Sequence, residues 1–213
     1  MQQQNIRTYF IAYTIILLFS VSLFFSLEHG ELVIRVNEFR NGITDLLMRY
    51  LTFLGDGIVF GIVVLIMLIK NRRVGIFYLT TALTTLVSSS FLKRVVFSDI
   101  PRPKKYFEGI YELNFVEGVD THGKFSFPSG HTMSVFAMAT VLALTFSEKK
   151  WVPVILTLVA WTVGFSRIYL LQHFLRDVIA GSLIGVSLSV ICFLAFKSWL
   201  DKTQKSDYTS PTT

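Results

Sequence analysis

The sequence holds one cysteine, Cys192, among 213 residues. It lies inside an apolar run, so no disulfide can form within the chain, and the redox compartment cannot be read. Charge is also scarce. Asp, Glu, Lys and Arg make up 16% of the residues, against about 25% in soluble domains. The basic residues are scattered rather than striped along one face, which argues against a nucleic-acid partner. No repeat of helical-array type is present.

Apolar residues make up 52% of the chain, and 20 of them are phenylalanine. They gather into long uncharged runs, the mark of an integral membrane protein built from helices. The expected fold is all-α: one polytopic domain over residues 1–200, with a motif-bearing core over about 50–195 and a disordered tail over 201–213. Six spans are predicted, at about Tyr9–Leu27, Leu51–Ile69, Val74–Phe97, Ser129–Phe146, Trp151–Leu171 and Phe174–Leu200. Each is near the ~20 residues needed to cross ~30 Å of hydrocarbon. The first is too long for a signal peptide and no small-residue cleavage site follows it, so it reads as a retained anchor.

Two stretches interrupt this rhythm. Residues 28–50 carry Leu32, Val36, Phe39, Ile43, Leu46, Leu47 and Tyr50 at roughly helical spacing, as an amphipathic segment lying in the interface would. Residues 98–127 form a long polar loop, and such loops are often functional. The dense short turns "KNRR" and "SEKK" place both termini in the cytoplasm. Only nine of the 20 basic residues fall on that side, so density rather than count carries the orientation.

On this topology three distant stretches meet on one face, the outer one. "LKRVVFSDIPRP" brings Lys93, Arg94 and Arg102; "PSGH" brings Ser129, Gly130 and His131; "SRIYLLQHFLRD" brings Ser166, Arg167, His173 and Asp177. Lys93, Arg102 and Arg167 suit an anion, the arginines through their bidentate fork. A helix opened by Pro128 offers backbone N–H groups at Ser129, Gly130 and His131, and its dipole favours negative charge. Gly130 lets a tetrahedral oxyanion approach the backbone. This is a phosphate site with two histidines to act as nucleophile and acid. Asp177 lies one helical turn from His173, where it can fix the tautomer by accepting the Nδ1 proton. His131 is left to protonate the leaving oxygen.

These motifs resemble the type-2 phosphatidate phosphatase superfamily, the lipid phosphate phosphatases. Its pattern is a lysine, then Arg-Pro; then P-S-G-H; then S-R, five residues, His, three residues, Asp. "PSGH" and "SRIYLLQHFLRD" match without a gap. The first motif departs: eight residues separate Lys93 from Arg102 where six are usual, and Arg94 is the alternative to Lys93. The resemblance implies a phosphohistidine on His173 oriented by Asp177, with leaving-group protonation by His131. It implies phosphate binding by Lys93, Arg102, Ser129, Gly130 and Arg167, with Ser166 beside it, and no metal or other cofactor.

The expected activity is hydrolysis of lipid phosphate monoesters or diphosphates at the outer (periplasmic) face of the cytoplasmic (inner) membrane. The partners are the bilayer and the lipid phosphate substrate; the oligomeric state is not legible. Candidate substrates are undecaprenyl diphosphate, lipid A phosphates, phosphatidylglycerol phosphate and phosphatidate. Lys104, Lys105 and Lys124 near the site favour a substrate with a second phosphate. A phosphotransferase passing phosphate to another lipid alcohol would use the same residues, whereas a non-catalytic lipid-binding or transport protein would not need His173, Asp177 and His131. A soluble vanadium haloperoxidase shares related motifs but not the spans. His29 and His122 read as solvated loop residues, "GDG" at 55–57 as a turn, and Gly181 with Gly185 as a packing motif within the bundle.

Overall fold

The computed structural model describes residues 2–146, 149 and 151–207, and the described residues fold as helices joined by loops, with no strands. Helix α1 is Gln2–Ser26, α2 Glu31–Glu38, α3 Gly42–Leu51, α4 Gly57–Lys70, α5 Arg72–Phe91, α6 Pro103–Tyr106, α7 Gly130–Phe146, α8 Trp151–Tyr169 and α9 Leu175–Asp207. The helix of α9 runs past Leu200, where the sequence predicts disorder to begin. Residues 208–213 of that expected tail, and the "SEKK" turn apart from Lys149, lie outside the described residues.

Four helical segments among the described residues are long and apolar enough to cross a membrane: Asn5–Ser26, Arg72–Val96, Trp151–Tyr169 and Leu175–Leu200. These match four of the six expected spans, and the other two take a different form. The second is broken at Asp56: Gly42–Gly55 and Gly57–Lys70 meet at 49°. Asp56 caps α4 by accepting the Ile58 N–H at 3.0 Å, so "GDG" is indeed a turn. The fourth, α7, is an apolar helix of 17 residues, about 25 Å long at 1.5 Å per residue. The amphipathic stretch forms two helices rather than one. α2 turns Val33 into the core, while α3 exposes Ile43, Leu46, Leu47 and Tyr50.

Helix α7 is the axis of the bundle, with Met133, Val135, Phe136, Ala137 and Val141 buried against its neighbours. Tyr9 of α1 meets Thr140 at 2.8 Å through their hydroxyls, and Tyr78 of α5 meets Thr145 at 2.6 Å. Ser189 of α9 donates to the Ala137 carbonyl at 3.2 Å. Between apolar helices such polar contacts and close backbone approach replace the hydrophobic drive. The approach is closest at Gly181 and Gly185. A Cβ on Gly185 would lie 2.4 Å from the Met133 carbonyl oxygen, and one on Gly181 would lie 2.7 Å from that of Ser129. The G-x-x-x-G motif therefore seats α9 on α7, which brings the starts of these two helices together.

Candidate active site

The starts of α7 and α9 meet at the ends of α5 and α8. The Ser129 N–H donates to the Asp177 carbonyl at 3.0 Å, locking the two helix starts to each other. That N–H is therefore occupied, contrary to the expectation that it stands ready for an anion. Gly130 and His131 keep the first-turn N–H groups that a helix cannot satisfy internally. The Ser129 hydroxyl caps α7, accepting from the Thr132 N–H at 3.4 Å and also from Thr132 Oγ1 at 2.8 Å.

Lys93 reaches this helix start. A Cβ on Gly130 would sit 3.4 Å from Lys93 Nζ and 3.0 Å from Ser89 Oγ, so the bare glycine is what lets the ammonium come so near. Arg94 is exposed. The sequence gives no hint of how Lys93 is aimed: residues Leu92–Val96 form a π-helical turn closed by Phe97 N–H to the Leu92 carbonyl at 2.8 Å. A π turn carries one residue more than an α turn, so part of the longer Lys93–Arg102 spacing is absorbed inside the helix.

The two arginines are held by residues that no motif names. Arg102 donates from Nε to the Lys124 carbonyl at 3.0 Å and from Nη1 to Gln172 Oε1. Gln172 in turn donates to the Asp120 carbonyl at 2.8 Å. Arg167, 7% exposed, donates from Nη1 to Thr52 Oγ1 at 2.5 Å, while its Nε is buried without a partner among the described residues. Ser166 is fully buried and donates to the Val163 carbonyl at 2.6 Å, so its hydroxyl is spent within α8.

His173 lies in the turn between α8 and α9 and is 1% exposed. Its Nδ1 stands 3.5 Å from Asp177 Oδ2. Burial holds its pKa well below the ordinary imidazole range. The Asp177 carboxylate pulls the other way, and Lys93 and Arg102 add to the lowering. The ring is neutral at pH 7 and keeps one nitrogen lone pair for attack. His131 is partly buried and lies within electrostatic reach of Arg167, His173, Lys93 and Arg102, so the predicted set shares one site.

A cavity of about 810 Å³ opens beside it, running between α4 and α5 and lined at its polar end by Asp56, Ser89, Gly130 and His131. Its walls are apolar, among them Ile62, Leu65, Leu83 and Leu86. His122 is exposed as expected. His29 is likewise exposed in its loop, with one side of its ring packed against Phe174 at 4.4 Å and Tyr106 at 5.0 Å.

Comparison with known proteins gives this geometry a family. The chain is 30% identical over 129 residues to lipid A 4'-phosphatase of Bacteroides thetaiotaomicron, covering 57% of this chain and 56% of that one. It is 37% identical over 89 residues to phosphatidylglycerophosphatase B of Bacillus subtilis, covering 38% and 42%. The chain thus spans about half the length of the relatives it matches. The crystal structure of Aquifex aeolicus LpxE superposes with a TM-score of 0.67 at 28% identity, over 78% of this chain and 94% of that one. The PAP2 superfamily pattern matches residues 73–201, and with the motifs gathered as described, the chain belongs to the PAP2 superfamily.

Proposed function

We propose that this protein is a membrane phosphatase that removes phosphate from lipid phosphate monoesters or diphosphates through a phosphohistidine on His173, without a metal. One observation carries the reading. The cationic pocket around the two histidines opens into an apolar cavity of about 810 Å³ that Gly130 and His131 themselves line. A phosphate held there leaves its hydrocarbon chain between α4 and α5.

Lys93, Arg102, Arg167 and the Gly130 and His131 N–H groups bind the phosphate oxygens, while the buried Ser129 hydroxyl holds the start of α7 in place. His173 Nε2 attacks phosphorus in line, the bond to the leaving oxygen breaks, and His131, protonated once the bound phosphate offsets the surrounding cations, gives that oxygen its proton. Asp177 holds the His173 ring and stabilises the positive charge that develops on it. Water, deprotonated by His131, then attacks the phosphohistidine. The P–N bond breaks, inorganic phosphate leaves, and His131 is again protonated. Fixed charges and N–H dipoles aimed at the phosphoryl oxygens supply the stabilisation.

Lipid A phosphates lead the substrate candidates. The relatives named as lipid A phosphatases support this, and so do the exposed Lys104, Lys105 and Lys124, which suit a substrate with a second phosphate. Undecaprenyl diphosphate, phosphatidylglycerol phosphate and phosphatidate complete the set. We place the site at the outer face of the inner membrane, with both termini in the cytoplasm and six membrane crossings. Phosphate release by the purified protein across these lipids tests the reading. Release from lipid A phosphates above the other lipids supports it, and release from none of them overturns it.

A further inference from the structure

The Asp177 side chain is fully buried, and its polar contacts among the described residues are few. Oδ2 accepts from Ser126 Oγ at 2.5 Å and from the Phe174 N–H at 2.9 Å, and it faces His173 Nδ1 at 3.5 Å. Oδ1 lies 3.5 Å from Arg176 Nε. Three of these four partners come from residues 173–176 and move with the start of α9. Ser126 alone reaches in from another part of the chain.

Ser126 is itself fully buried and rigidly placed. Its N–H donates to the Ile100 carbonyl at 3.1 Å, and next to it the Arg102 N–H donates to the Gly123 carbonyl at 3.0 Å. The pairing of residues 100–102 with 123–126 thus sets an arginine of the anion pocket and the serine that grips the carboxylate. A hydroxyl donating to an ionised carboxylate makes a charge-assisted bond, about twice as strong as a neutral one. It falls on the oxygen that must face the imidazole, so it fixes the rotation of the carboxyl group and keeps that oxygen from taking the Nδ1 proton outright.

We infer that Ser126 is a positioning residue: through Asp177 it holds the His173 ring in line with phosphorus, and it ties the long loop over 98–127 to the nucleophile. This rests on the reading of His173 as nucleophile. Ser126 is sealed from solvent with its hydroxyl committed to Asp177, so its loss slows the chemical step and leaves binding intact.

The test compares steady-state kcat and KM of the wild type, S126A, S126T and H173A on the best lipid phosphate of the panel. Thermal unfolding of the same detergent-solubilised samples reports the fold. S126A lowers kcat about 10-fold or more, in keeping with a charge-assisted bond, with KM within about twofold, and S126T regains most of the loss. If S126A does not accumulate as folded protein, S126C, close to serine in size and a much weaker donor, replaces it in the same comparison. An S126A enzyme with wild-type kcat beside an inactive H173A overturns this inference alone. So does a fall in kcat that S126T, folded as the wild type, leaves unrepaired. An active H173A overturns the nucleophile assignment itself.

Discussion

His173 Nδ1 and Asp177 Oδ2 face each other at 3.5 Å across the first turn of α9, both sealed from solvent. The separation is longer than a strong hydrogen bond, as is common before substrate binds, and contacts of this kind tighten when charge develops on the ring. Asp177→Asn keeps the shape and loses the charge. It should leave a folded, slow enzyme, with kcat reduced roughly 10²- to 10⁴-fold. Turnover within a few-fold of wild type would remove Asp177 from the account.

Packing of α9 on α7 gives a second prediction. Gly185→Ala forces a methyl group to 2.4 Å from the Met133 carbonyl, where backbone must move, and overpacking of this kind costs about 1–3 kcal/mol. Its unfolding temperature in detergent should fall by several degrees. Gly61→Ala is the control, since nothing lies within 4 Å of a Cβ placed there. Equal stability of the two variants would contradict the seating of α9 on α7.

Metal independence is tested directly. Activity should persist in a strong chelator, because lysine, arginines and backbone N–H groups take the part a cation would play. Vanadate should inhibit in competition with substrate, since it takes up the five-coordinate geometry of in-line transfer on a histidine nitrogen. Loss of activity on chelation, restored by a divalent ion, would overturn this part of the mechanism.

Orientation is open to labelling. In a Cys192→Ala background, His122→Cys in the long loop should react with an impermeant maleimide from outside intact cells. Lys149→Cys, in the turn between α7 and α8, should react only after permeabilisation. The reverse pattern would put the site on the cytoplasmic face.

Much of the candidate site was legible because its chemistry is written in contiguous spacing. Ser129, Gly130 and His131 are adjacent, and His173 and Asp177 are four residues apart, so local spacing alone brings each group together. The residues that hold them were not legible. Thr52 grips Arg167, Gln172 grips Arg102 and Ser126 grips Asp177 across separations that no local pattern reports. At Asp56 the turn was legible in "GDG", but the 49° bend it puts between the two helices was not. Apolar composition runs on through Leu51–Ile69, and only a capping carboxylate between two glycines marks where the helix restarts. The π turn that aims Lys93 leaves no compositional trace.

The most direct test of the central claim, that His173 is the nucleophile and His131 the acid, is turnover of H173A and H131A on two substrates of unequal leaving group. One is a lipid phosphate, whose alkoxide leaves poorly, and the other an activated aryl phosphate, whose phenolate needs little help from a proton. General-acid catalysis typically contributes about 10²- to 10⁴-fold when the leaving group is poor. H131A should therefore be crippled on the lipid and keep far more of its activity on the aryl ester, while H173A stays at background on both. Equal losses for the two variants on both substrates would contradict the assignment.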